Sequence, residues 1–176
     1  LYVTHDLLEA LVLSDKIIVM NTGIIAQTGT PRDVYSQPQD QFVADFMGAG
    51  NVLPGTIISK IADNVVVDLG FGEITSQVYV EVKEGDKVLV AIRPEGIGLS
   101  NEDNASGNAT ALPCTVETDA FLGNSMEYLV RVGEHSLRVR TLPSVDTYEP
   151  GTDAFIHISP ESCVVVTMEA TAAASS

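Results

Sequence analysis

The 176-residue sequence carries 24 acidic against 9 basic residues, a formal net charge of -15, with 45% apolar residues. That apolar fraction suits a packed core. The charge works against nucleic acid, whose phosphates need clustered Lys and Arg, and against anionic membrane surfaces. No apolar run approaches the roughly 20 residues that span a bilayer, and no charged n-region followed by an apolar segment marks a secretory signal.

In chain order, Leu1-Tyr2-Val3 reads as the end of a buried strand. Asp6 is placed to cap a following helix, with Glu9 three residues on as its reciprocal partner. Leu7, Leu8, Ala10, Leu11, Val12 and Leu13 leave that helix apolar on most sides, which calls for burial. Lys16–Met20 and Ile24–Gln27 are strands joined by the turn Asn21-Thr22-Gly23, a hairpin pattern. Thr30, Pro31 and Asp33 supply the N-cap, first-turn proline and first-turn carboxylate of a second helix. Pro38 interrupts. Phe42, Val43, Phe46 and Met47 form the apolar face of a short third helix stopped by Gly48.

After Gly50 the helical period disappears. Short β-branched runs follow at Thr56–Ile58, Val65–Val67, Gln77–Val82 and Lys87–Ile92, punctuated by glycines and acidic residues, as in a small all-β barrel or sandwich. "SNEDNASGNAT", residues 100–110, is polar and turn-rich, a loop. Strands resume at Cys114–Val116 and continue to about Val166, and residues 168–176 read as a flexible tail. Cys114 and Cys163 lie outside any CxxC pair and suit small buried residues in a reducing compartment.

Two segments align without gaps: "EGDKVLVAIRPEGIGL" and "PGTDAFIHISPESCVV". Gly85 matches Gly151, Ile92 matches Ile158, Pro94 matches Pro160 and Glu95 matches Glu161. Each copy places a glycine turn before an alternating strand, a Pro-Glu break and a second apolar strand. Strand pairs also precede each copy, so two related β units in tandem are expected.

The stretch "YVTHDLLEALVLSDKIIVMNTGIIAQTGTPRDVYSQPQDQFVADFMG" resembles the end of the nucleotide-binding domain of an ABC importer ATPase. The branch is the one serving maltose, polyamine, ferric-iron and sulfate uptake. "VAIRPEGIGL", with Arg93-Pro94-Glu95, resembles the appended TOBE domain, an oligonucleotide-binding-like barrel. The resemblance implies a C-terminal portion of such a subunit. The implied fold is mainly β, with two OB-like lobes (about 51–100 and 111–167, within a region 48–167) preceded by an α/β remnant, residues 1–47.

The resemblance further implies that His5 is the switch histidine, which in the intact protein contacts the ATP γ-phosphate at a site that also holds Mg²⁺. A group that senses a terminal phosphate without a large fixed charge suits that task. Leu7 departs from the Gln common in these proteins. The sequence contains no GxxxxGK[ST] loop, signature segment or Asp-Glu strand end, so neither ATP binding nor hydrolysis is expected of the chain by itself.

Arg93 and Glu95 are the regulatory candidates, and the same segment reads equally well as a turn at a strand end. His135 and His157 read as structural or solvated. No metal-ligand spacing is present, nor a nucleophile–base pair. The implied partners are a second copy through the β lobes, permease subunits and a solute-binding protein, at the cytoplasmic face of the inner membrane. A small-solute or anion sensor is the alternative. A nucleic-acid-binding barrel would need basic grooves, whereas residues 51–176 hold 18 acidic and 7 basic side chains. With most of the parent sheet absent from the sequence, the first strand and helix are expected to be displaced, swapped or packed across a dimer.

Overall fold

The computed structural model describes residues 1–103, 108–143 and 147–167. The tail read as flexible and part of the 100–110 loop lie outside them.

The N-terminal segment forms α1 (Leu7–Leu13), the antiparallel hairpin β1 (Ile17–Asn21) and β2 (Ile24–Gly29), then α2 (Pro31–Ser36) and α3 (Gln41–Phe46). Thr30 caps α2 and Pro31 opens it, as anticipated, and the structure adds two caps beyond that reading. Thr30 and Asp33 form a reciprocal capping box with Pro31 in the first turn, and Asp40 caps α3 through the Val43 amide at 2.9 Å. Ile17, Val19, Val34, Val43 and Met47 make a small core. Leu7, Ala10 and Leu11 of α1 lean against it.

One expectation for the first residues is corrected. Leu1–Val3 is not a strand and is exposed. A strand exists only when its amides and carbonyls meet a partner, and no described segment lies alongside to provide one. Within the single chain, helix α1 rests against α2 and the small core through Leu7, Ala10 and Leu11 and leaves Leu8, Val12 and Leu13 exposed. The capping pattern also differs in detail. Asp6 accepts from the Glu9 amide at 3.1 Å, but the Glu9 carboxylate is taken by Thr4 Oγ1 at 2.7 Å and Tyr2 Oη at 3.0 Å.

Beyond Gly50 the chain is β structure. The strands are β3 (Asn51–Ile61), β4 (Asn64–Asp68), β5 (Glu73–Val78), β6 (Lys87–Ile92), β7 (Ile97–Ser100), β8 (Thr110–Phe121), β9 (Met126–Val132), β10 (His135–Thr141), β11 (Asp153–Ile158) and β12 (Cys163–Val166). They build a closed barrel, β12-β5-β4-β3-β6, and a five-stranded sheet, β10-β9-β8-β11-β7. The run expected to be a strand through Val82 ends at Val78. Its parallel pairing to β12 covers only Gln77 and Val78, after which Val80 and Val82 fold onto the core.

The repeat is visible in atomic detail. Strand β6 and its counterpart β11 each follow a glycine in the left-handed region, Gly85 (φ +87°) and Gly151 (φ +90°). Each leads into a 3₁₀ turn, Pro94–Gly96 and Pro160–Ser162. Strands β3 and β8 carry equivalent bulges, at Ile57/Ser59 and Val116/Thr118. At each bulge the same pair of bonds forms: Ile57 N donates to Asp86 O and Gly85 N to Ile57 O, while Val116 N donates to Thr152 O and Gly151 N to Val116 O.

The lobes are not consecutive stretches of chain, and here the boundary near residue 100 needs correction. After the first 3₁₀ turn, β7 crosses to pair with β11 in the second sheet. After the second turn, β12 crosses back to pair with β6 and β5 and closes the first barrel. Each half thus lends its last strand to the other. The Pro-Glu-Gly and Pro-Glu-Ser turns at the two crossings pack on each other, since a Cβ added to Gly96 would meet Ser162 Oγ at 2.5 Å.

One core runs through both sheets, from Ile57, Val65 and Ile74 to Val130, Leu137 and Ile156. Strands β6 and β12 are buried on both faces because α3 covers the barrel wall. Ala44 and Ala49 pack on Leu89, Ala91, Val164 and Val166, which explains the unbroken apolar runs where alternation is the norm.

Both cysteines are buried and unpaired. Burial pushes the Cys114 thiol up to about 11 and that of Cys163 up to about 12, from an ordinary 9.0. An acid whose folded pKa is raised holds its proton longer when folded, so its contribution is complete below pH 9 and is lost as pH rises towards those values. Stability should therefore fall above about pH 9. A Cys114→Ala/Cys163→Ala variant, followed by thermal melts between pH 8 and 11 (from about one unit below the unfolded thiol to about two above it), should show a shallower decline than the native chain. Equal slopes would contradict the assignment.

Candidate functional site: the junction of the helical segment with the β lobes

The sequence singled out His5, Arg93 and Glu95, and the structure brings only the last two together. His5 lies in a bend before α1, exposed. Beside it in the chain are the Thr4–Glu9 and Asp6–Glu9 contacts of the α1 cap. Among the described residues no group of three or more His, Cys, Asp and Glu is placed to hold a metal ion.

Arg93 precedes the first 3₁₀ turn and Glu95 lies within it. Both reach the same side chain on α2. Tyr35 Oη donates to Glu95 Oε1 at 2.8 Å. The Arg93 guanidinium carbon lies 3.9 Å from the Tyr35 ring centroid, a cation–π arrangement, and its Nη2 donates to the Tyr35 carbonyl. That carbonyl is in the last turn of α2, where such groups lack helical partners and favour a cation. Burial raises the Tyr35 pKa, the hydrogen bond and charge of Glu95 add to the rise, and Arg93 opposes it. The phenol thus stays protonated as the donor to Glu95. Tyr35 carried no signal in the sequence, because nothing local ties residue 35 to residues 93 and 95.

Asn51 was also missed. It begins β3, is buried, and its amide stitches the two sheets together. Asn51 Nδ2 donates to Ile92 O at 3.2 Å and to Arg138 O at 2.9 Å, and Arg138 N donates to Asn51 Oδ1 at 2.7 Å. The side-chain amide imitates a strand peptide along the free edge of β10, the edge of its sheet. Next to it, Gly50 sits at φ +72° against Pro94. Asn51 and Gly50 together read from sequence as an ordinary break.

The remaining histidines have packing roles. His157 Nε2 lies 3.0 Å from Ser100 Oγ, tying β11 to the end of β7. The His135 ring meets Phe71 with centroids 5.0 Å apart, joining turns of the two lobes. A cleft of about 460 Å³ runs along the junction, lined in part by Gln27, Asp33, Gln39 and Asp40 from the helical segment and by Tyr79 and Thr167 from the lobes.

Residues 90–166, from the end of β6 through β12, match the TOBE domain family. Over most of its length the chain is similar to the ATP-binding subunits of ABC importers. It is 37% identical over 166 residues to the Fe(3+) ions import ATP-binding protein FbpC of Brucella abortus, covering 94% of this chain and 45% of that protein. Identity is 35% over 150 residues to the spermidine/putrescine import ATP-binding protein PotA of Ruegeria pomeroyi (84% and 39%). With PotA of Fusobacterium nucleatum it is 45% over 105 residues (58% and 28%). The chain thus spans less than half the length of these curated relatives. Among solved structures, the molybdate-bound cytoplasmic molybdate-binding protein ModG shares the fold, with a TM-score of 0.60 and 18% identity over 66% of this chain and 95% of that one.

Proposed function

We propose that the chain is the regulatory and dimerisation region of an importer ATP-binding subunit, joined to the last elements of its nucleotide-binding domain. In this reading the complete subunit works at the cytoplasmic face of the membrane against permease subunits. ATP and Mg²⁺ would be held there by further parts of the protein, and His5 would meet the γ-phosphate. The β lobes would keep two subunits paired while the nucleotide domains open and close. The observation that carries the reading is the continuity of the match to FbpC, which runs through both the helical segment and the lobes. The relatives named above serve different solutes, Fe(3+) and spermidine/putrescine, so similarity at this level marks the machinery and not the cargo.

Sedimentation velocity of the 176-residue chain should reveal reversible dimers, and no ATP turnover should accompany them. A strict monomer at high concentration would remove the dimerisation role. Turnover rising in proportion to chain concentration would overturn the assignment of ATP chemistry to other parts of the subunit. Thermal stabilisation by sulfate, molybdate or a polyamine would favour the solute-sensor reading instead.

A further inference from the structure

We propose that Tyr35, Arg93 and Glu95 form a releasable latch that sets the angle between the helical segment and the β lobes. The inference goes beyond the proposed function and stands on geometry alone, so failure of the ATPase reading would leave it untouched.

The molecule has separate cores on the two sides of the junction. The helical segment is organised around Ile17, Val19, Val34, Val43 and Met47, and the lobes around their own cluster. Helix α3 belongs to both, with Val43 and Met47 facing the first and Ala44 facing the barrel wall. Just beyond it come Gly48 (φ +76°) and Gly50 (φ +72°), the backbone type that absorbs rotation at a hinge. Near the start of α3, Thr167 pairs with Gln39 and Gln41, through Thr167 N to Gln39 O at 3.3 Å and Gln41 N to Thr167 O at 3.2 Å. These contacts fasten the pivot.

Helix α2 is held differently. It packs within the helical segment, and the bonds that tie it to the lobes are the polar ones from Tyr35. Such contacts exchange readily for water when partly exposed, unlike the apolar wall under α3. Apolar pivot and polar catch therefore sit on different elements.

The repeat supplies an internal control. In the second copy Ser159 stands where Arg93 stands in the first, and it bonds locally, Ser159 Oγ to Ser162 Oγ at 3.0 Å. The turn and the strand crossing form equally well there. Arg93 is therefore not required by the turn, and its reach to α2 is an addition to the repeated fold. The turn it belongs to also touches the hinge through Pro94 and Gly50, and the second turn through Gly96 and Ser162. A change in the angle of the helical segment would thus arrive at the point where the lobes exchange strands.

The test uses spin labels on Cys substituted at Arg32 of α2 and Glu134 of the β9–β10 turn, both exposed, with distances measured by pulsed electron spin resonance. Arg93→Ser, which installs the repeat's own residue, should add a second distance population absent from the native chain. Tyr35→Phe, which keeps the ring but drops the Glu95 bond, should give a smaller share of it. The urea midpoint of the lobes should stay unchanged in both. An Arg93→Ser distribution identical to native would overturn the latch. So would a collapse of the urea midpoint, which would make Arg93 a structural support.

Discussion

Gly50→Ala should destabilise the chain by about 3 kcal/mol, combining a left-handed backbone penalty of about 1–2 kcal/mol with overpacking of similar size. Gly50 sits at φ +72°, and a Cβ there would lie 2.6 Å from Pro94 Cγ and 3.0 Å from Pro94 Cδ. The proline ring cannot swing aside as a flexible side chain would. For a domain of this size the melting temperature should drop by about 10 °C. Gly23→Ala and Gly151→Ala are the controls. Both glycines have positive φ with nothing within 4 Å of the added carbon, so each should cost only about 1 kcal/mol. Adding Pro94→Ala to Gly50→Ala should recover part of the loss. If all three glycine variants melt together, the Pro94 contact has been misjudged.

Asn51→Leu should be nearly as damaging, about 2–4 kcal/mol, because it strands three backbone groups that lose their partner. Arg138 N, Arg138 O and Ile92 O all bond to the Asn51 amide. Leucine fills a similar volume but offers them nothing. Chemical denaturation with a fluorescence or circular dichroism readout would measure the cost. A value within about 0.5 kcal/mol of native, the range of an ordinary surface change, would mean that water replaces the amide and that the lobes do not depend on it.

Both residues show where sequence reasoning stops. Turn chemistry and periodicity are local, so the hairpin at Asn21–Gly23, the Thr30 N-cap with Pro31 and the paired Pro-Glu breaks were all legible. Pairing is not local. The repeat announced that β7 and β12 exist, but nothing in Ile97–Ser100 or Cys163–Val166 says which sheet receives them. Strand β6 read as alternating, whereas Val88–Ile92 are all buried because α3 covers its outer face. Leu1–Val3 has strand-like residues and forms no strand for want of a neighbour. Arg93 and Glu95 stood out through the family resemblance, whereas Tyr35, their common partner, lies 58 and 60 residues away. His5 was legible as a residue type in a familiar segment.

The exchange of closing strands has a consequence for how the protein is made. The first barrel cannot shut until Cys163–Val166 has left the ribosome, although its other four strands are finished by Ile92. Through the whole synthesis of the second half, the edges of β5 and β6 that β12 will fill stand open. The two halves must therefore mature as a single event, and damage late in the chain is felt first in a lobe encoded long before it.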